Sequence, residues 1–244
     1  MNGPLADAWA YLTDGASWSG PGGLTARFVE HVGISALSLL VATVVAVPLA
    51  LWLGHIGRGG VLALNIGNVG RAVPTFAVLV LLAISPPPFG ANLLSAVLAL
   101  SAFALPPLLT NTYVGVREVD RATVEAARGL GMSGRQVLWK VELPLATPLL
   151  LAGLRLAAVQ IVATATVLGL VGGGALGRII NSGFVNGDTG KVIGSGLVVT
   201  LLALAVELGM AVVEKFAGGR RERRRAVGGA RRPGRDPIVT GSMG

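Results

Sequence analysis

Long apolar runs alternate with short polar segments along most of this chain. Four of them reach the roughly 20 residues that a helix needs to cross a bilayer, and they cover residues 32–53, 91–114, 145–171 and 192–213. A fifth stretch, residues 61–84, is interrupted by polar residues and Pro74, and its uninterrupted part is too short to cross alone. We expect it to be a span with a polar, bent half, since irregular backbone is tolerated where protein or water surrounds it. The pattern predicts an all-α, polytopic membrane helix bundle with about five transmembrane spans.

Composition agrees with a membrane protein, because 52% of the residues are hydrophobic and only 13% are charged. The net charge of +8 does not indicate nucleic-acid binding, since eight of the twenty basic residues lie from Arg220 onward. The absence of cysteine excludes disulfides, thiolate metal sites and cysteine nucleophiles. The two histidines, His31 and His55, are far apart in sequence, so we expect no metal site.

The distribution of basic residues predicts the orientation in the membrane, since lysine and arginine accumulate in cytosolic loops. Residues 117–140 carry five basic residues and the tail from Lys215 carries nine, whereas the loop SPPPFGAN between the second and third spans carries none. We therefore expect an external N terminus, a cytosolic C terminus and a location in the cell membrane. We expect no cleaved signal peptide, because no basic segment precedes the first apolar run.

These assignments divide the chain into an external leader at 1–31, a membrane domain at 32–216 and a basic, disordered cytosolic tail at 217–244. The leader is either a short amphipathic piece at the membrane interface or a loosely ordered segment. The tail either binds anionic membrane lipid or only fixes the topology.

The segment 117–144, between the third and fourth spans, has ordered signals for two short helices. Asp120 is suited to cap a helix that ends at Gly129 or Gly131, and Ser133 with Gln136 has the spacing of a capping box for a second helix. Pro144 is expected to stop that second helix as the fourth span begins. We call residues 120–144 the elbow. A DNA-binding helix-turn-helix is disfavoured because the elbow is tethered to a span at each end, whereas a purely structural elbow stays an alternative.

The elbow contains a spaced set of residues, namely Glu125, Ala126, Ala127, Gly131, Val141, Leu143 and Pro144. This set resembles the EAA loop of binding-protein-dependent ABC permeases. That loop reads Glu-Ala-Ala, three residues, Gly, nine residues, Ile, one residue, Leu-Pro. Val141 in place of Ile is the only departure. The likeness extends from about residue 32 to 216 and is closest to osmoprotectant permeases, through the segments 71–79, 105–120, 140–155 and 169–184.

The resemblance implies how the chain works and with which partners. The sequence has no phosphate-binding loop of the GxxxxGK[ST] kind, so we expect no catalytic residue, no metal and no cofactor on this chain. ATP and Mg belong, on this resemblance, to a separate cytosolic ATPase that receives the elbow. The other implied partners are a second permease chain, alike or homologous, and an external solute-binding protein. The implied solute is a small compatible solute such as glycine betaine, choline, carnitine or proline.

Polar residues within apolar runs are costly and are therefore candidates for the translocation pathway. The candidates are Arg71, Pro74, Asn111, Tyr113, Arg155, Gln160 and Glu207. We expect Glu207 to be buried and to pair with Arg71 or Arg155. Alternatively, Arg155 extends to the membrane surface and Asn111 only bonds a neighbouring helix.

A glycine-rich run follows the fourth span. It comprises Gly172, Gly173, Gly174 and Gly177 and has no nucleotide-motif context. We interpret it as an external re-entrant or gate loop where a binding protein docks. The alternative is a flexible connection.

Three other functions are compatible with the spans. An ABC importer permease for methionine, phosphonate or sulfonate shares the elbow. An ion-coupled secondary transporter would use Glu207 as its coupling acid, although we find no internal repeat. A membrane scaffold or signalling protein would leave the spacing of the elbow residues unexplained.

Overall fold

The computed structural model describes residues 3–58, residue 60 and residues 74–229, with the side chains given up to residue 217. Within these ranges the chain is helical. The helices are α1 (Pro4–Thr13), α2 (Gly15–Trp18), α3 (Leu24–Ile56), α4 (Thr75–Ile84), α5 (Leu93–Arg117), α6 (Arg121–Gly129), α7 (Gly134–Val137), α8 (Leu143–Thr164), α9 (Ala175–Asn186) and α10 (Thr189–Gly229).

Four of the described helical segments are long and apolar enough to cross a membrane, which confirms the four long runs. They are Leu24–Ile56, Leu93–Arg117, Gly134–Val171 and Thr189–Ala217. Of the proposed fifth span, the structure describes α4, an apolar helix of 10 residues. Its polar half, residues 61–73 with Arg71, lies outside the described residues, so the bent span stays a prediction.

Helices α3 and α5 form the centre of the bundle. The face of α3 that is buried has small residues at every fourth position, namely Ser38, Ala42, Ala46, Ala50 and Gly54. Residues four apart lie on one side of a helix, and small side chains there let two backbones approach closely. The facing side of α5 contributes the buried Leu100, Ala104 and Leu108 to the same core.

The leader is an ordered part of the fold rather than a loose segment. Helix α1 packs on the beginning of α10, with Ala8 buried and Tyr11 beside the glycine at position 194. Burial is the main reason why the pKa of the Tyr11 hydroxyl is raised. The opposite face of α1 exposes Leu5 and Trp9, as in the amphipathic alternative. The first spanning helix begins at Leu24, within the predicted leader.

Helix α10 continues to Gly229, into the part of the chain that was expected to be disordered. Extending an existing helix avoids the cost of nucleation, and arginine and glutamate are good helix formers. The predicted disorder therefore does not describe the backbone up to Gly229, and residues 230–244 lie outside the described residues.

Candidate coupling elbow and transport pathway

The first half of the elbow has the caps that the sequence predicts. The Asp120 side chain accepts a hydrogen bond from the backbone N–H of Ala122 at 3.2 Å, at the start of α6. At its other end, Gly131 donates to the carbonyl of Arg128 and Met132 donates to that of Ala127. This pair of bonds is a Schellman motif, which places its turning residue in the left-handed region. Gly131 occupies that position with a φ of +82°, which explains the glycine in the motif.

The second half begins with the predicted capping box. The Ser133 backbone N–H donates to the Gln136 side chain at 2.8 Å, and Gln136 returns a bond to the Ser133 hydroxyl at 3.4 Å. Helix α7 then widens into a π-helical turn over Leu138–Glu142 and continues as α8.

Pro144 does not stop this helix, contrary to the sequence expectation. It lies in the first turn of α8, directly after the π-helical turn. A proline within a regular helix removes one hydrogen bond and clashes with the carbonyl four residues earlier. The extra residue of the wider turn accommodates the ring, so Gly134–Val171 form one continuous helical segment.

The motif residues face in different directions. Glu125 and Ala126 are exposed on α6, whereas Ala127 is buried against the bundle. Val141, Leu143 and Pro144 are partly buried. Two large apolar side chains also point outward from the elbow, Leu130 and Trp139, at 86% and 54% exposure. The elbow therefore presents an acid and apolar groups on its outer side.

The end of the elbow that joins α8 contains a side-chain contact that the sequence did not indicate. His55, in the last turn of α3, lies with its Nδ1 2.6 Å from Oε2 of the buried Glu142. The two residues are 87 positions apart, so no local pattern links them. The other histidine, His31, lies toward the opposite end of α3, where its Nε2 is 3.0 Å from the carbonyl of Val162 in α8.

Arg155 and Glu207 form the ion pair that the sequence predicts as one alternative. The Arg155 guanidinium lies 2.6 Å from Glu207 and 3.0 Å from Glu214, so one arginine bridges two acids of α10. Glu214 was missed because it lies at the end of its apolar run. All three side chains are about one third exposed, whereas the sequence predicts a buried pair.

A second group of pathway candidates lies between α5 and α8. The Gln160 side chain donates to the carbonyl of Phe103 at 3.3 Å, and Asn111 donates to the carbonyl of Pro107 in its own helix at 2.8 Å. Tyr113 is buried in the same core. Pro74 is exposed at the start of α4. The structure thus divides the candidates between two faces of α8, and Arg71 lies outside the described residues.

The glycine-rich run forms a tight turn between two helical segments. A 3-10 helix over Ala165–Val171 ends at Gly172, whose φ is +79°, and α9 begins after Gly174. The 3-10 helix and α9 pack so closely that a Cβ on Gly177 would collide with the carbonyl of Thr166. The run is therefore an ordered turn, which differs from the flexible alternative.

A charged cluster holds this turn against α3. The Glu30 carboxylate lies against Gly174 and accepts a hydrogen bond from the backbone N–H of Ala175. Arg27 pairs with Glu30 at 2.6 Å, and Arg178 is near. Ala175 has a φ of +63°, which costs a non-glycine residue about 1–3 kcal/mol and is typical of functional turns.

A bundle of spanning helices interrupted by a capped elbow defines a membrane permease subunit, and the comparisons identify its family. The chain belongs to the family "Binding-protein-dependent transport system inner membrane component", which matches residues 42–217. It is accordingly a multi-pass inner membrane transport component.

Several curated relatives are named as transport permease proteins for choline or carnitine. The chain is 33% identical over 194 residues to the choline transport system permease protein OpuBB of Bacillus subtilis, covering 80% of this chain and 88% of the relative. It is 34% identical over 185 residues to the carnitine transport permease protein OpuCB of Listeria monocytogenes, covering 76% of this chain and 84% of the relative.

Solved structures share the fold. An inward-facing conformation of the MetNI methionine ABC transporter matches with a TM-score of 0.68 at 20% identity, covering 80% of this chain and 95% of the other. At that identity the match is informative about the fold alone.

Proposed function

We propose that this chain is the permease subunit of an ATP-driven importer for small osmoprotectants such as glycine betaine, choline, carnitine or proline. The relatives named for choline and carnitine transport support this solute class. The observation that supports coupling to ATP is the elbow, whose residues match the motif except for Val141 in place of Ile and whose turn is built on Gly131.

The elbow is proposed to dock into a cleft of a separate ATPase subunit. Its outer side offers the Glu125 carboxylate for a hydrogen bond and Leu130 for an apolar pocket. Large exposed apolar groups beside polar ones are typical of protein interfaces. ATP and Mg would be bound by that ATPase, and its closure would displace the elbow and move the spans between inward-open and outward-open states.

Three further partners complete the proposal. A second permease chain, identical or homologous, would form the pathway with this one. An external solute-binding protein would deliver solute to the turn at Gly172–Gly174, and membrane lipid would surround the spans. The proposed orientation has the N terminus outside and the elbow and C terminus in the cytosol, on the basis of the basic residues.

The alternatives receive less support. A secondary carrier would need Glu207 as a coupling acid, but this carboxylate is held in an ion pair with Arg155. A methionine importer shares the fold, but the solved methionine transporter is only 20% identical, which carries no information on solute.

The proposal can be tested on the transporter assembled from this chain with its ATPase and binding protein in proteoliposomes. We expect the ATPase to co-purify with the chain and labelled choline, glycine betaine or carnitine to accumulate with ATP, while methionine does not. Glu125→Lys should abolish the recovery of the ATPase and the uptake, because it reverses the charge on the docking side.

The matched control is Glu118→Lys. Glu118 is exposed at the C-terminal cap of α5, ahead of the elbow, where a lysine is favoured by the helix dipole. This variant should retain the ATPase. Accumulation of methionine alone would contradict the solute class, and full coupled uptake by Glu125→Lys would contradict the docking role.

A further inference from the structure

The pair of His55 and Glu142 lies where the elbow meets the first spanning helix. Glu142 belongs to the π-helical turn that joins α7 to α8, and its side chain is 6% exposed. Its Oε2 lies 2.6 Å from the Nδ1 of His55. A buried carboxylate that loses its hydrogen-bond partner is destabilised, so this contact fixes the position of the turn.

The His55 ring also lies beside the start of the second elbow helix. A Cβ built on Gly134 would lie 3.3 Å from Nε2 of His55, which leaves little space between the ring and the backbone where α7 begins. The ring therefore lies between Gly134 and Glu142. This arrangement holds the segment 134–142 beside the end of α3.

The pair borders a small charged cleft that reaches the motif. The cleft has a volume of about 70 Å³, and its polar lining consists of Arg117, Arg121, Glu125, Arg128, Glu142 and His55. Glu125 lies on its rim, on the exposed side of α6. The imidazole thus stands between the acid of the motif and the membrane-spanning core.

The backbone does not join the elbow directly to α3, and the His55–Glu142 pair provides a contact between them. The elbow is joined through the backbone to α5 at one end and to α8 at the other, but it reaches α3 only through side chains. Apolar side chains also meet there, with Leu138 and Leu143 packed against the cluster that contains Leu51. Apolar surfaces slide more readily than a buried hydrogen bond breaks, since a hydrogen bond has a fixed geometry.

We propose that the His55–Glu142 pair is a positioning link that transmits displacement of the elbow to α3, so that three spans move together in the transport cycle. The inference rests on the proposed function, in which the ATPase docks on the elbow. His55 and Glu142 act through the elbow and do not themselves contact the ATPase or the solute.

Two amide replacements of His55 separate positioning from polarity. The Asn amide nitrogen occupies about the place of Nδ1, so His55→Asn keeps a donor toward Glu142. The longer Gln amide extends toward the place of Nε2, so His55→Gln directs its donor toward Gly134. Both variants are neutral amides, and only their geometry relative to Glu142 differs.

The experiment measures ATPase co-purification, ATP hydrolysis and osmoprotectant uptake for each variant of the assembled transporter. We expect His55→Gln and Glu142→Leu to retain the ATPase subunit but to lower uptake per ATP hydrolysed about five-fold or more. His55→Asn should remain close to wild type. The double variant His55→Gln with Glu142→Leu should be no worse than either single one, because both remove the same link.

Several results would overturn the proposal. Equal coupling in His55→Asn and His55→Gln would show that the geometry at Nδ1 does not matter. Additive losses in the double variant would show that the residues act independently. If Glu142→Leu does not fold, the comparison of the two amides decides alone. Failure of the proposed function is distinguishable, since the wild-type chain would then recover no ATPase.

Discussion

At the scale of the residue, the elbow owes its shape to a few capping groups that the sequence already predicted. Asp120, Ser133 and Gln136 act on backbone atoms within three positions, so their partners follow from spacing alone. The contact between His55 and Glu142 joins positions 87 apart and depends on how the spans pack. Local chemistry was therefore readable, whereas the tertiary pair required the fold.

Two neighbouring glycines provide a test of the turn. Gly131 has a φ of +82°, whereas Gly129 is the last residue of α6 and has open space where a Cβ would be. An L residue in the left-handed region costs about 1–2 kcal/mol, so Gly131→Ala should weaken α6. Gly129→Ala should be neutral or stabilising.

Hydrogen exchange of the purified protein in nanodiscs measures this difference. We expect amides of residues 124–132 to exchange about five-fold faster in Gly131→Ala and no faster in Gly129→Ala. Equal rates in the two variants would show that the turn does not depend on its glycine.

At the scale of the element, prolines within spans leave carbonyls that other helices must satisfy. Pro107 in α5 has no N–H, so the carbonyl of Phe103 four residues earlier lacks its helical donor. The Gln160 side chain of α8 donates to that carbonyl. The sequence marked Gln160 as a pathway candidate, and the structure gives it a packing contact as well. The donor could not be predicted because the facing of α5 and α8 is set by the whole bundle.

This arrangement predicts a rescue between two helices. Gln160→Leu should lower the stability by about 1 kcal/mol, because the Phe103 carbonyl is left unpaired within the membrane. Adding Pro107→Ala restores a backbone N–H for that carbonyl and should recover much of the loss.

The melting temperature in detergent, followed by tryptophan fluorescence, measures the effect for the wild type, both single variants and the double variant. The decisive comparison is between the Pro107→Ala variant and the double variant that combines Pro107→Ala with Gln160→Leu. If Gln160→Leu costs as much there as in the wild type, the bond to Phe103 is not the reason for its effect.

At the scale of the whole molecule, the apolar runs predicted four spans, and their bounds agree with the helices within four residues except that the first and third helices begin 8 and 11 residues earlier. Length and hydropathy suffice there because the bilayer sets the length of a helix. They did not predict the docked leader, since α1 packs through residues too few and too mixed to form an apolar run. The proline at position 144 predicted an end of the second elbow helix that the structure does not have. The reason is that a widened helical turn, which accommodates the proline, has no simple sequence signal.

The natural absence of cysteine makes the orientation measurable. Single cysteines at Ala91 and Arg135, both exposed, should react from opposite sides of the membrane with an impermeant maleimide. Ala91→Cys should label from outside in intact cells, and Arg135→Cys only after the membrane is opened. Labelling of both in intact cells would contradict the proposed topology.

The continuous helical segment Gly134–Val171 runs from the second elbow helix to the glycine turn. Its 38 residues correspond to about 57 Å at the rise of an α-helix. When the segment tilts as one body by about 5° around its middle, each end moves by about 2.5 Å, in opposite directions. A displacement of about 2.5 Å at one end of the segment would thus produce an equal and opposite displacement at its other end, on the far side of the bilayer.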